Sequence, residues 1–357
     1  MTSSIYIGST SGFSGKNMLG IGLGLILQKE GYKVGYMKPV GTLPKLYEDE
    51  NIMGDEDAFF VQEALGLKED LELVTPILIT HDLRMQIFSE GCPNMLGKIK
   101  SAYEELSKDK DVVLICGSGS FLHSGKVCHI AGKDIVSELN SKVILMDRFF
   151  NEFNYDYILS AYEEHLGEKM LGFILNSVPE SRMQFVDEML VPLLEKRGVK
   201  HLGTIKEDPV LNSITIGDLS RSLGGKIIAG LNQEKSLIQH FLIGTMQVEN
   251  FMSYFKKNKD AAIIVGGDRS DLQLVALEGK CPCLILTGNM YPNEIIMTRA
   301  EALGVPIIIV REDTFTVAKN MENILANVKI RDEFKFTHGE KLLSSHLDLE
   351  TIKKSIA

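Results

Sequence analysis

The segment Ser4-Ile-Tyr-Ile-Gly-Ser-Thr-Ser-Gly-Phe-Ser-Gly-Lys-Asn17 decides the first part of the fold. It begins with a short β-rich run at 4–8 and continues through a Gly/Ser-rich loop at 9–15. Residues 16–30 then place apolar side chains at helical spacing, and residues 33–38 form a second β-rich run. A strand, loop, helix and strand within about 35 residues are typical of a parallel α/β layer.

The same alternation of strands and helices continues along the chain. It predicts six strands over 1–208, which we interpret as a doubly wound, mainly parallel-sheet α/β domain. After Asp208-Pro209 the pattern restarts with different spacing, which predicts a smaller α/β domain over 209–328. Residues 329–357 are polar, and we expect either a docking helix or a loose tail there.

Composition excludes several classes of protein. The 357 residues are 44% hydrophobic and 24% charged, with a net charge of −10 and no block of like charge. A nucleic-acid-binding surface is normally basic, so we expect no nucleic-acid partner. No apolar run reaches about 18 residues, so we expect no membrane span. The first residues do not resemble a signal peptide, and we expect a cytoplasmic location.

Cysteine usage agrees with a reducing compartment. The chain has five Cys, an odd number at irregular spacing, and we expect free thiols. Cys281-Pro-Cys283 lacks a second Cys pair and nearby His residues, so we expect no metal site there.

The loop after the first strand predicts a phosphate site. Gly12 and Gly15 let the backbone approach an anion, the following helix presents its positive end, and Lys16 is placed to reach the outer phosphates. The usual pattern is G-x4-G-K-[ST], whereas here Thr10 replaces the first glycine and Asn17 the residue that binds Mg²⁺. The candidate nucleotide-binding residues are Thr10, Ser11, Gly12, Phe13, Ser14, Gly15, Lys16 and Asn17. The alternative is an ordinary Gly/Ser-rich turn.

This loop, together with Lys38-Pro-Val-Gly41, resembles dethiobiotin synthetase. It resembles still more the N-terminal region of long phosphotransacetylases and free-standing proteins built like it. The resemblance implies ATP or a related nucleotide, and Mg²⁺, as ligands. It implies that Lys38 contacts substrate and phosphate, that Asp57 binds Mg²⁺, and that Asn176 meets the nucleotide base. Asp55 is an equally close alternative to Asp57 for the metal.

One departure from that family concerns the metal. The synthetase pattern E-G-A-G-G reads Cys116-Gly-Ser-Gly-Ser120 here, so a cysteine replaces the acidic ligand. A neutral thiol is not a ligand for a hard cation. With Asn17 also altered, we expect a retained phosphate cradle and question the ligase reaction.

The second domain resembles the DRTGG domain. Asp268-Arg-Ser-Asp-Leu272, Leu286-Thr-Gly-Asn-Met-Tyr-Pro292 and Asp313-Thr-Phe315 follow three successive predicted strands. Such domains resemble regulatory modules that tend to self-associate. The candidate ligand or interface residues are Asp268, Arg269, Asp271, Thr287, Gly288 and Asp313. The alternative for Asp268 and Arg269 is a local salt bridge within the turn.

Three functions follow from these motifs. The first is a regulatory nucleotide-binding protein whose second domain dimerises or senses a metabolite. The second is an ATP-dependent ligase or ATPase that acts on a small carboxylate or amine, with Lys16 and Lys38 as catalytic residues. The third is a scaffold for a separately encoded acyltransferase, since we expect no acetyltransferase domain in this chain.

Overall fold

The computed structural model divides the chain into two units, Met1–Glu207 with Ile330–Ala357 and Asp208–Lys329. It describes residues 2–47, 52–150, 155–326, 328 and 333–356, those at 326 and 333 without their side chains. The second unit is therefore inserted between two parts of the first. The expected start of the tail at residue 329 lies outside the described residues.

A six-stranded parallel sheet forms the centre of the first unit. The strands of this unit are β1 (Ser3–Ser9), β2 (Val34–Met37), β3 (Val40–Gly41), β4 (Pro44–Tyr47), β5 (Ile52–Asp55), β6 (Ile77–Leu78), β7 (Val112–Cys116), β8 (Lys142–Arg148), β9 (Met170–Val178) and β10 (His201–Lys206). The sheet has the order β10-β9-β8-β1-β7-β2, so β1 lies between two buried neighbours. This order confirms the doubly wound α/β fold that the sequence predicts.

Helices connect these strands. They are α1 (Lys16–Lys29), α2 (Glu56–Leu65), α3 (Leu71–Val74), α4 (His81–Glu90), α5 (Met95–Leu106), α6 (Gly132–Leu139), α7 (Tyr155–Ser160), α8 (Met183–Phe185) and α9 (Val191–Lys196). Two π-helical segments, Ala161–Leu166 and Val186–Leu190, continue α7 and α8. The sequence analysis did not predict α3, α4 or the antiparallel pair β4–β5.

The second unit has a mixed five-stranded sheet. Its elements are β11 (Ile214–Thr215), α10 (Ile216–Ser222), β12 (Lys226–Ala229), β13 (Leu237–Ile238), β14 (His240–Gly244), α11 (Val248–Phe255), β15 (Ala261–Gly266), α12 (Ser270–Glu278), β16 (Leu284–Thr287), α13 (Glu294–Leu303), β17 (Ile307–Ile309) and α14 (Thr314–Ala326). The order is β12-β17-β16-β15-β14, and only the pairing of β12 with β17 is antiparallel. Buried apolar side chains cover both faces of this sheet.

The C-terminal segment packs on α1. It forms α15 (Glu333–His346) and α16 (Leu349–Lys354) within the first unit. Leu343 of α15 is fully buried, and a Cβ on Gly22 of α1 would lie 2.2 Å from its Cδ1. Lys29 of α1 also pairs with Glu340 of α15. Of the two expectations for this region, the structure thus shows docked helices.

The expectation of free thiols is wrong for two of the five cysteines. Cys92, in the loop between α4 and α5, is joined by a disulfide to Cys128, whose Cα lies 5.3 Å away. These residues are 36 positions apart, and only the fold brings them together. Cys116, Cys281 and Cys283 are free and buried.

Candidate functional site

The loop between β1 and α1 ends in an open helix N-terminus. Gly15 has a φ of 98°, a left-handed conformation that favours glycine, and α1 begins directly after it. Among the residues that the structure describes, no side chain caps this helix, so its first N–H groups face the loop without a side-chain acceptor. Phe13, also with a positive φ, is exposed at the tip of the loop. Such an uncapped N-terminus attracts an anion through its N–H groups and its dipole.

Lys16 folds back over the same loop. Its Nζ donates to Ser9 Oγ at 2.5 Å, to the Ser11 carbonyl oxygen at 3.3 Å and to the Gly119 carbonyl oxygen at 3.4 Å. The residue is 8% exposed, and among the described residues it has no ion-pair partner. Burial lowers the pKa of Lys16 to about 8. A buried ammonium that contacts only neutral oxygens is stabilised by an anion that reaches it.

Side chains of the neighbouring strands β8 and β9 form hydrogen bonds with the loop. Asn176 of β9 donates from Nδ2 to the Ser14 carbonyl oxygen at 2.9 Å, and Thr10 donates its hydroxyl to the Asp147 carboxylate of β8. The structure thus places Asn176 against the loop itself. Sequence reasoning missed Asp147, although it ends an apolar run next to β1, where polar residues gather in parallel sheets.

Lys38 is in a buried ion pair. Its Nζ lies 2.7 Å from Asp55 Oδ1 and 3.4 Å from Asp57 Oδ2, and Lys38 and Asp55 are both almost fully buried. Asp55 also caps α2, and its Oδ2 accepts the backbone N–H groups of Thr42 and Leu43. These contacts occupy Asp55, which leaves Asp57 as the more accessible carboxylate of the two.

The residues at the expected Mg²⁺ site do not fit a hard cation. The Cys116 side chain is fully buried, donates to the Lys16 carbonyl oxygen at 3.7 Å and packs against Gly20 of α1. Burial raises the pKa of this thiol to about 12, so it is neutral at physiological pH. Across the described part of the chain, no group of three or more His, Cys, Asp or Glu residues could hold a metal ion.

In the second unit, Arg269 pairs with Asp271 and not with Asp268. Its Nε and Nη2 donate to the two carboxylate oxygens of Asp271 at 3.0 and 2.9 Å. The hydrogen bond from Arg269 lowers the pKa of Asp271. Arg269 Nη2 also contacts the Met246 carbonyl oxygen at 3.4 Å, which joins the ends of β14 and β15. The local salt bridge expected within this turn therefore exists with a different partner.

The neighbouring strand ends bring the remaining candidates to the same edge of this sheet. Thr287 and Thr314 share a hydrogen bond of 2.8 Å between their hydroxyl groups, and Gly288 adopts a φ of 78°. Asp313 accepts the N–H groups of Phe315 and Thr316 at 2.9 and 3.1 Å. These are the contacts of a helix N-cap, so Asp313 has a structural task at the start of α14.

Comparison with known proteins identifies two family models along the chain. Residues 3–215 match the model described as AAA domain, and residues 218–324 match the DRTGG domain. The second match confirms the resemblance to the DRTGG domain, and the curated relatives described next confirm the resemblance of the first domain to dethiobiotin synthetase and phosphotransacetylases. Among the described residues, no helix is long and apolar enough to cross a membrane.

Curated relatives cover both parts. A phosphate acetyltransferase of Synechocystis is 22% identical over 370 residues, which cover 99% of this chain and 51% of that protein. An ATP-dependent dethiobiotin synthetase of Methanococcus vannielii is 25% identical over 207 residues, covering 57% of this chain and 93% of the synthetase. The chain thus spans about half the length of the acetyltransferases that it matches.

Solved structures show more distant similarity. The MinD cell division protein of Aquifex aeolicus matches with a TM-score of 0.34 and 18% identity, over 59% of this chain and 84% of MinD. The CBS and DRTGG domains of a Clostridium perfringens pyrophosphatase, solved with diadenosine tetraphosphate, match with a TM-score of 0.29 and 16% identity. That match covers 40% of this chain and 70% of the pyrophosphatase chain.

Proposed function

Since the chain belongs to the AAA domain family by residues 3–215 and carries a DRTGG domain, we propose that it is a regulatory nucleotide-binding protein. The nucleotide phosphates bind at the loop Gly12–Lys16, between β1 and α1. The DRTGG domain couples nucleotide binding in the first domain either to self-association of the chain or to the binding of a second metabolite.

The state of Lys16 carries this proposal. Its ammonium is buried, it contacts three neutral oxygens, and it lies at the uncapped N-terminus of a 14-residue helix. Such an arrangement is costly without an anion, because burial disfavours an unpaired charge. A nucleotide phosphate supplies that anion and accepts the free N–H groups of the first helical turn.

Thermal unfolding with ATP, ADP and GTP tests the proposal. A ligand at about 100 times its Kd stabilises the folded state by about 2.7 kcal/mol, a Tm rise of about 5–10 °C for a unit of this size. We expect a rise for at least one nucleotide and its loss in Lys16→Ala. Equal Tm values with and without every nucleotide, at concentrations found in cells, would exclude the assignment.

The DRTGG domain is the regulatory part of the proposal. The ends of β14, β15, β16 and β17 bring backbone and polar side chains to one edge of its sheet, where ligands bind in open parallel sheets. Light scattering with and without nucleotide tests whether the chain is a homodimer or a larger oligomer. Co-purification with a separately encoded acyltransferase tests that partner. Acyltransferase binding that is independent of nucleotide would favour a scaffold role.

A ligase of the dethiobiotin synthetase type is less well supported by this geometry. Its reaction needs Mg²⁺ at Asp57 and a lysine free to meet substrate, whereas Lys38 is paired with Asp55 and Asp57. Turnover of ATP that depends on a small carboxylate or amine, and that Lys16→Ala abolishes, would favour the ligase over the regulatory protein.

A further inference from the structure

Three positions of the P-loop unit correspond to the metal ligands that the sequence resemblance implies: Asn17, Asp57 and Cys116. Of these, only Asp57 carries a carboxylate. Asn17 offers a neutral amide, and the Cys116 thiol is fully buried. Mg²⁺ demands oxygen ligands in near-octahedral geometry and gains little from a buried thiol.

The direction of Cys116 strengthens this disagreement. Its Sγ contacts the backbone of α1 at the Lys16 carbonyl oxygen, 3.7 Å away, and would lie 2.8 Å from a Cβ on Gly20. The thiol therefore fills space beneath α1. The sequence and the packing therefore agree on a site without this ligand.

The charges near the loop show what the site can neutralise. Lys38 faces Asp55 and Asp57, so the positive charge of this lysine is already balanced. Asp147 adds a carboxylate, which accepts the Thr10 hydroxyl behind the loop. Among the described residues of the loop, Lys16 and the N-terminus of α1 are the positive groups that meet a phosphate. Each further phosphate adds negative charge that these groups do not offset.

We propose that this P-loop binds its nucleotide as the free polyanion, without a divalent cation, and that it binds a diphosphate at least as tightly as a triphosphate. The inference rests on the proposed nucleotide site and specifies its ligand class. It predicts that Asp57 opposes binding by its negative charge and does not support it through a metal.

Calorimetric titrations with ADP and ATP, each in excess EDTA and in millimolar Mg²⁺, test the inference. We expect the apparent ADP affinity to be lower in millimolar Mg²⁺ than in EDTA, because Mg²⁺ withdraws free ADP into its complex, and the ATP affinity in EDTA not to exceed that of ADP. Affinity at least about tenfold higher in Mg²⁺, or tight binding of ATP only, would overturn the metal-free site. No binding of either nucleotide in any condition would instead overturn the nucleotide site itself.

Asp57→Asn distinguishes the two accounts within the protein. A metal-bound nucleotide would lose about tenfold or more in affinity with this variant, because its carboxylate ligand is gone. A metal-free nucleotide gains about threefold, because a nearby negative charge is removed and Lys38 keeps Asp55 as its partner. Circular dichroism confirms that the variant is folded, and Glu56→Gln, the partly buried neighbour in α2 that pairs with Lys45, is the matched control.

Discussion

Nucleotide binding will be coupled to proton uptake through Lys16. Burial lowers the pKa of this lysine to about 8 in the free protein, so part of the population is neutral above neutral pH. A phosphate that contacts the ammonium favours its charged form and raises its pKa. The neutral fraction is about 0.76 at pH 8.5, which predicts an uptake of about 0.8 proton per nucleotide at that pH.

The same equilibrium fixes the dependence of affinity on pH. The charged fraction of Lys16 falls from about 0.76 at pH 7.5 to about 0.09 at pH 9, so nucleotide affinity should fall by about eightfold. The phosphates are already ionised over this range and do not contribute. Titration calorimetry at pH 8.5 in two buffers of different ionisation enthalpy measures the uptake directly.

Controls separate Lys16 from the rest of the helix. Lys29 is exposed at the other end of α1, and the Lys29→Met variant should keep the nucleotide affinity and the proton uptake of the natural chain. Without nucleotide, the folded state loses the Lys16 proton near pH 8 while the unfolded state keeps it to about 10.5. The free energy of unfolding should therefore rise by up to about 3 kcal/mol over this window relative to Lys16→Met. Proton uptake below about 0.2, with affinity independent of pH, would refute this account of Lys16.

Three further predictions concern stability. Leu343→Ala should lower the free energy of unfolding, measured by chemical denaturation, by about 2–5 kcal/mol, and Gly22→Ala by about 1–3 kcal/mol. The double variant should lose less than the sum of the two, because the new methyl group fills the cavity; additive losses would contradict the packing of α15 on α1. Reduction of the Cys92–Cys128 disulfide should lower the free energy of unfolding by about 4 kcal/mol from its 36-residue separation, and a Cys92→Ser variant that still responds to reductant would contradict this. Asp313→Ala should cost about 1 kcal/mol in urea unfolding through loss of the α14 cap, and Asp313→Asn should restore most of it; equal losses would contradict a capping role.

Local sequence patterns predicted the alternating strands and helices of the central sheet and missed the elements whose position depends on distant contacts. Alternating apolar runs were enough for the central sheet, because buried parallel strands are continuously apolar. The docking of α15 was left open, although Gly20, Gly22 and Gly24 already indicated that other groups approach α1 closely. Glycine within a helix costs about 1 kcal/mol, so three of them imply packing that compensates. Which residue fills the space at Gly22 depends on the return of the chain and is visible only in the structure.

The candidate site shows the same division. Gly12, Gly15 and Lys16 were predicted from local spacing, because a phosphate loop is one continuous segment. The partners of Lys16 and Lys38 were not, since Gly119 and Asp55 reach them from other parts of the fold. Partner choice depends on side-chain direction, which short-range patterns do not define.

Direct titration of ADP into the full chain and into Lys16→Ala tests the central claim most directly. A charge-assisted contact contributes about 1.5–3 kcal/mol, so we expect saturable binding to the natural chain and at least about tenfold weaker binding to the variant. Equal affinity for both proteins, or no binding to either, would contradict a nucleotide site built on Lys16.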